Sequence, residues 1–254
     1  MPPISDANLS VGQFADRYRR EMIPLRKPFS YYFAALPLTE EDIREYLDEP
    51  IAALPPSVVS QLPKISILLV PYLEKKKERG ASRFGEFVRV EKPSENKVSW
   101  TSCVMSKDET VLAFAVKEQE VADYHYHFYH VLAKLVSDNW TDEVGSPYAA
   151  LIREELNAKV NGEVDELSWH QKQAIARRYS ATRRETKAFG EYVKQSFIDT
   201  LTLYMHGICC DIDVETGPRQ LPSRYLRKRL QLLRTLYPPP EGYPVFPEEI
   251  KDTK

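Results

Sequence analysis

The feature that most constrains this chain is a change of hydrophobic period after Lys64. From Ile65 to Val116 the apolar residues come in short runs, ISILLVPYL, EFVRVEK, VSWTSCVM and TVLAFAV, rich in β-branched and aromatic side chains. Branched side chains pack well on a pleated surface and crowd a helix, so runs of this length read as strands. From Val121 onward the apolar residues recur at three and four, which is the period of a helix with one buried stripe. The polar links SEN and SKDE separate the last three runs. Links that short predict antiparallel hairpins, hence a small meander over residues 86–117. The first run, Ile65 to Leu73, is continuously apolar and suits a buried strand, although Pro71, with no N–H for a ladder, favours an edge or a bulge.

The helices are marked by their ends. Ser10 and Gln13 have capping-box spacing, ahead of a helix carrying Phe14, Tyr18 and Met22 and stopped by Pro24. Thr39 precedes Glu40, Glu41 and Asp42, whose charges suit a helix N-terminus. In the second half, Ser146-Pro147 predicts a helix start before a stripe of Tyr148, Leu151, Ile152 and Leu156. Further helices are expected over 165–179, over 182–206 from a Thr182/Glu185 cap, and over 223–236. The expected fold is therefore α+β: a helical N-terminal segment and a small, mostly antiparallel sheet over about residues 65–117, covered by a helical second half. Residues 1–254 read as one domain, with 1–117 and 118–254 as the alternative subdivision.

Composition enters through what it excludes. A chain of 254 residues, 43% hydrophobic and 28% charged, can bury a sizeable core. Its formal net charge of -2 gives no global pull toward nucleic acid or an anionic membrane. No apolar run approaches the roughly 18 residues that span a bilayer. The start MPPISDANLS has neither the basic nor the apolar part of a secretory signal, and three cysteines make no disulfide framework. A cytoplasmic location is the expectation.

Chemistry concentrates between Lys117 and Asp138, which holds three of the five histidines. On a helix over 118–137, Glu120, Asp123, His127 and His130 gather opposite Val121, Tyr124, Phe128, Val131, Leu132 and Leu135, while His125 falls near the edge of the apolar stripe. On the long helix, Tyr192, Gln195, Asp199, Thr202 and His206 form a second polar stripe. Imidazoles with carboxylates suit a divalent metal such as Zn, Fe or Mn, and zinc with an open position makes a hydrolytic nucleophile of bound water. The expected metal ligands are Asp123, His127, His130 and His206, with Glu120 and Asp199 as acid–base groups of a metal-dependent hydrolase. The same residues also read as a solvated polar face. Neither HExxH nor the Glu-x-x-His of ferritin-like sites occurs, and there is no CxxC, GxGxxG, Walker A loop or GxSxG. Cys209 and Cys210 read either as inert buried thiols or as ligands.

The alternative is a non-catalytic interaction module. Arg224, Arg227, Lys228, Arg229 and Arg234 lie on the last helix, and Arg177, Arg178, Arg183, Arg184 and Lys187 form a second basic cluster. Such clusters can meet phosphates in a nearly neutral chain, although Glu185 and Glu191 are placed to pair with the second one. The tail YPPPEGYPVFPEE is expected to lie extended on a surface. In this reading a protein or nucleic-acid partner docks through Arg227, Lys228 and Arg234, opposite a leucine stripe.

Overall fold

The computed structural model describes residues 9–34, 37–77, 84–107, 109–176, 186–210 and 221–246. The chain is α+β and forms two compact units, one of residues 1–51 with 62–127 and one of residues 52–61 with 128–254.

Among the described residues the first unit contains α1 (Val11–Tyr18) and eight strands: β1 (Ile23–Pro24), β2 (Phe29–Phe33), β3 (Ile65–Val70), β4 (Tyr72–Lys77), β5 (Phe84–Arg89), β6 (Val98–Ser99), β7 (Thr101–Met105) and β8 (Thr110–Ala115). The single turns α2 (Glu40–Ile43), α3 (Glu49–Ala52) and α4 (Pro56–Val59) follow β2 in the chain. The expected single meander is replaced by two sheets. One has the order β1-β2-β3-β8-β7, and the other is antiparallel with the order β5-β4-β6. Of the three runs over 86–117, only β7 and β8 pair with each other. In the five-stranded sheet β3 runs parallel to both β2 and β8. That central position explains its sequence, since a strand buried on both faces needs an unbroken apolar run. All six residues of β3 are buried. Pro71 therefore marks no edge. It ends the ladder of β3, and the chain enters the other sheet one residue later as β4. The run VSWTSCVM divides in the same way at Trp100, into β6 of one sheet and β7 of the other.

One face of α1 fills the core of this unit. Val11, Phe14, Ala15 and Tyr18 cluster with Leu68, Val70, Leu73, Val111, Ala113 and Ala115. The Ser10/Gln13 capping box forms, and so does one between Thr39 and Asp42. The carboxylate of Glu109 is buried yet held below its usual range. Burial works to raise it, and hydrogen bonds from Ser66, Arg19 and Lys64 outweigh that effect.

The histidine-rich segment is α5 (Val121–Asp138), and the division between the units falls within it, after His127. The second unit continues with α6 (Asp142–Asn157), α7 (Glu166–Ala176), α8 (Lys187–Cys209) and α9 (Ser223–Leu236). α6 starts a turn earlier than Ser146-Pro147 implied, after Thr141, so Pro147 lies inside the helix. The only helical bond this forfeits is the one to the Glu143 carbonyl. α8 starts after Thr186, whose hydroxyl accepts from the Phe189 amide. The expected Thr182/Glu185 cap and the cluster Arg177, Arg178, Arg183 and Arg184 lie outside the described residues, as do Glu248 and Glu249 of the tail. Aromatic rings order this core: Phe197 contacts Trp140, Tyr148 and Tyr237 at centroid distances of 5.0, 5.3 and 6.3 Å. Among the described residues no helix is long and apolar enough to cross a membrane.

Candidate functional site

The α5 residues singled out above divide by environment. Glu120 and Asp123 are exposed, whereas His127 and His130 are half-buried. Burial lowers the His127 imidazole pKa, and the charge of Asp123 one turn away partly opposes this. His125, at the edge of the stripe, is buried, and its Nε2 lies 2.8 Å from the Glu45 carbonyl oxygen. Its neighbour Tyr124 packs edge-on against Tyr46 and Phe114. Asp123 and His127 thus share one turn in the first unit, whereas His130, Asp199 and His206 belong to the second.

A buried set of polar groups in the second unit centres on Arg229. Arg229, counted above among the cations of the last helix, is wholly buried, and this corrects its assignment to an outer basic face. Its Nε donates to both oxygens of Glu155, at 3.0 and 3.2 Å. Its Nη1 and Nη2 donate to the two oxygens of Glu163 at 2.8 Å each, and Nη1 also reaches the Ser196 hydroxyl. Lys172, 4% exposed, donates to the Gly162 carbonyl at 2.7 Å and to Glu163 at 3.3 Å. The Tyr192 hydroxyl donates to Glu163 as well. Two cations therefore face two carboxylates, drawn from α6, α7, α9 and the loop before α7. Burial alone would raise Glu163, but the charge and hydrogen bonds of Arg229, with Lys172 and Tyr192, hold it at about 2. Tyr148, bonded to Ser196 and Thr200, is pushed up to about 12 by burial. The pattern carried a signal: Arg229 stands three residues after Leu226 and four before Leu233, within the leucine stripe. Glu155 likewise follows Tyr148 and Ile152 along the buried face of α6. A cation and an acid on the apolar faces of two helices fit each other better than they fit water.

Asp199 occupies a different setting on α8. It is 2% exposed; Oδ1 accepts from the Gln195 amide at 2.8 Å, and buried Oδ2 has no hydrogen-bond partner among the described residues. The nearby Ser168 hydroxyl donates to the Asp165 carbonyl at 3.1 Å. Burial raises the carboxyl to about 7, against the opposing effects of Ser168 and Gln195. Near neutral pH this group sits at its own midpoint, a property shared with acid–base catalysts.

The outer side of α9 is built from the remaining cations. Arg224, Arg227, Lys228 and Arg234 are exposed, while Leu226, Arg229 and Leu233 are buried behind them. Each of the four rests on one of two aromatic rings. The Arg224 guanidinium and the Lys228 ammonium lie 4.7 and 5.9 Å from the centre of Tyr225. Arg227 and Arg234, two turns apart, lie 4.5 and 5.9 Å from the centre of Phe246. Phe246 comes from the Pro/aromatic tail and is buried.

At the other end of α8, His206 packs its ring 6.0 Å from that of Tyr129. The amide of Cys210 donates to the His206 carbonyl at 2.8 Å, and the metal-capable atoms of the two side chains lie within 4.8 Å of each other. Cys209 and Cys210 are both of intermediate exposure. Comparison with protein-family models, with curated proteins and with solved structures finds no match to the chain, so this site is read from its own residues alone.

Proposed function

We propose that the chain is a non-catalytic binding module whose outer α9 face takes the phosphate backbone of a nucleic acid. The observation that carries this reading is the seating of Arg224, Arg227, Lys228 and Arg234 on two rings. A cation held over an aromatic ring has less freedom to lose when it meets a phosphate oxygen, and a guanidinium can make that contact bidentate. The helix itself carries no acidic residue. From Arg224 to Arg234 the row spans about 15 Å, at 1.5 Å per residue. The rings lie beneath cations instead of offering faces to bases, so the contact reads charge and not sequence. Anisotropy of a short labelled DNA duplex tests it. The wild type should bind at low salt, and the variant Arg227→Glu/Lys228→Glu/Arg234→Glu should not. Tighter binding of polyglutamate than of the duplex would make the face a protein dock and overturn the nucleic-acid reading.

A second reading keeps the metal-dependent hydrolase. It is favoured by the closeness of the His206 and Cys210 donor atoms on one helical turn. A thiolate and an imidazole suit zinc and leave positions for further ligands, for which His130 of the same unit is the expected candidate, and for water. Asp199, raised to about 7 by burial, has the acidity for proton transfer. Cobalt(II) titration separates the two readings. A thiolate-to-cobalt absorption band that disappears in Cys210→Ser would support the metal, and a spectrum without it would discard this reading.

A further inference from the structure

We infer that a cleft between the first turns of α6 and of α8 binds a small aromatic anion, independently of the α9 face. The cleft has a volume of about 590 Å³, within the range that small-molecule sites occupy. Two aromatic rings line it, Trp140 just before α6 and Phe189 in the first turn of α8, and two cations join them, Arg153 and Lys187. The Arg153 guanidinium lies 4.6 Å from the centre of the Phe189 ring, a cation–π contact that keeps it beside that wall of the cleft. Lys187 is nearly fully exposed and lies 3.8 Å from Glu191, a surface pairing that holds a lysine weakly. One acid, Asp142, also lines the cleft and can accept a hydrogen bond from a ligand hydroxyl or amine.

The cleft is open because two helical positions lack side chains. A Cβ on Gly145 would come 3.6 Å from the Trp140 ring, and a Cβ on Gly190 would meet nothing within 4 Å. Gly190 lies inside a long helix, where glycine costs stability relative to alanine and no crowding requires it. Keeping that position bare leaves room beside Phe189 and Arg153. A planar ring carrying one or two negative charges satisfies both parts of the lining: it meets the aromatic walls while its anion meets the cations. Aryl phosphates and aryl carboxylates share this chemistry.

Phenyl phosphate is the probe. Trp140 can be followed by fluorine NMR of the full chain labelled with 5-fluorotryptophan, with its resonance assigned through Trp140→Phe. The expected result is a saturable shift of Trp140 in the millimolar range, with Trp100 and Trp169 unmoved and with phenol and inorganic phosphate each about tenfold weaker. Arg153→Gln and Gly190→Leu should each weaken phenyl phosphate binding by about tenfold or more. The leucine fills open space on an exposed helix position, so Gly190→Leu is expected to fold, and it decides the matter if Arg153→Gln does not. Absence of a saturable Trp140 shift, or the wild-type affinity in a folded Gly190→Leu protein, would overturn the assignment.

Discussion

Arg229 and Glu163 meet through two parallel hydrogen bonds of 2.8 Å, both side chains essentially without solvent exposure. Glu155 on α6 takes the remaining face of the same guanidinium, and Lys172 of α7 holds Glu163 from the side. With Ser196 of α8 also accepting from it, four helices and the loop before α7 are thus referred to one planar group. A buried pair of this kind adds little net stability over a well-packed apolar replacement, because both ions must leave water. Removing one partner is different, since it strands the others in the core.

The first prediction is therefore for Arg229→Met. It should destabilise the protein by about 3–5 kcal/mol, read as a lower urea midpoint of the far-ultraviolet circular dichroism. An unchanged midpoint would show that the guanidinium does not organise these helices.

Asp199 predicts a pH dependence of opposite sign to that of Glu163. The folded-state pKa of Asp199 is raised to about 7 from 3.8, so its contribution is fully present below about pH 4 and is lost as pH rises through 7. Glu163 is lowered to about 2 from 4.5, so its contribution is present above 4.5 and is lost as pH falls toward 2. Between pH 5 and 8 Glu163 is constant while Asp199 changes, and comparison with Asp199→Asn isolates its contribution. The wild type should lose on the order of 3 kcal/mol relative to Asp199→Asn over that window. Parallel melting-temperature curves for the two proteins would refute the shift.

His127 should titrate below the usual histidine value, because burial disfavours its charged form. Asp123→Asn removes the opposing charge and should lower it further. Proton–carbon correlation spectra of the imidazole Cε1 across pH give both values, and a rise in the variant would contradict the assigned pairing.

Phe246→Ala tests the ring beneath Arg227 and Arg234 without altering any charge. Two partly exposed cation–π contacts are worth about 1–2 kcal/mol together, so duplex affinity should fall about tenfold. Full retention would mean that the charges act without being ordered by the ring.

Much of the fold could be read from the chain because local rules decided it. The caps at Ser10 and Thr39 are contacts over three residues, and the bounds of α9 follow from leucines spaced by three and four. What could not be read depended on partners distant in sequence. The apolar run of β3 reads as a buried strand and Pro71 as an edge signal, and only the pairing of residues 29–33 with 65–69 decides between them. Arg229 reads as one more cation of a basic helix until Glu155 and Glu163, on other elements, are known to meet it. The basic face of Arg227, Lys228 and Arg234 was legible, but the ring of Phe246 beneath two of them was not. The histidines of α5 were found by composition, which cannot say that His125 turns inward to Glu45 while Asp123 stays in water.

The most direct test of nucleic-acid binding by α9 is the salt dependence of its affinity for duplex DNA. Each phosphate neutralised contributes about -0.9 to the slope of log affinity against log salt. With Arg224, Arg227, Lys228 and Arg234 engaged, the wild-type slope should be about -3 to -4, becoming shallower by about one for each of these cations replaced by glutamine. A slope near zero, or one unchanged when these side chains are replaced, would contradict the account.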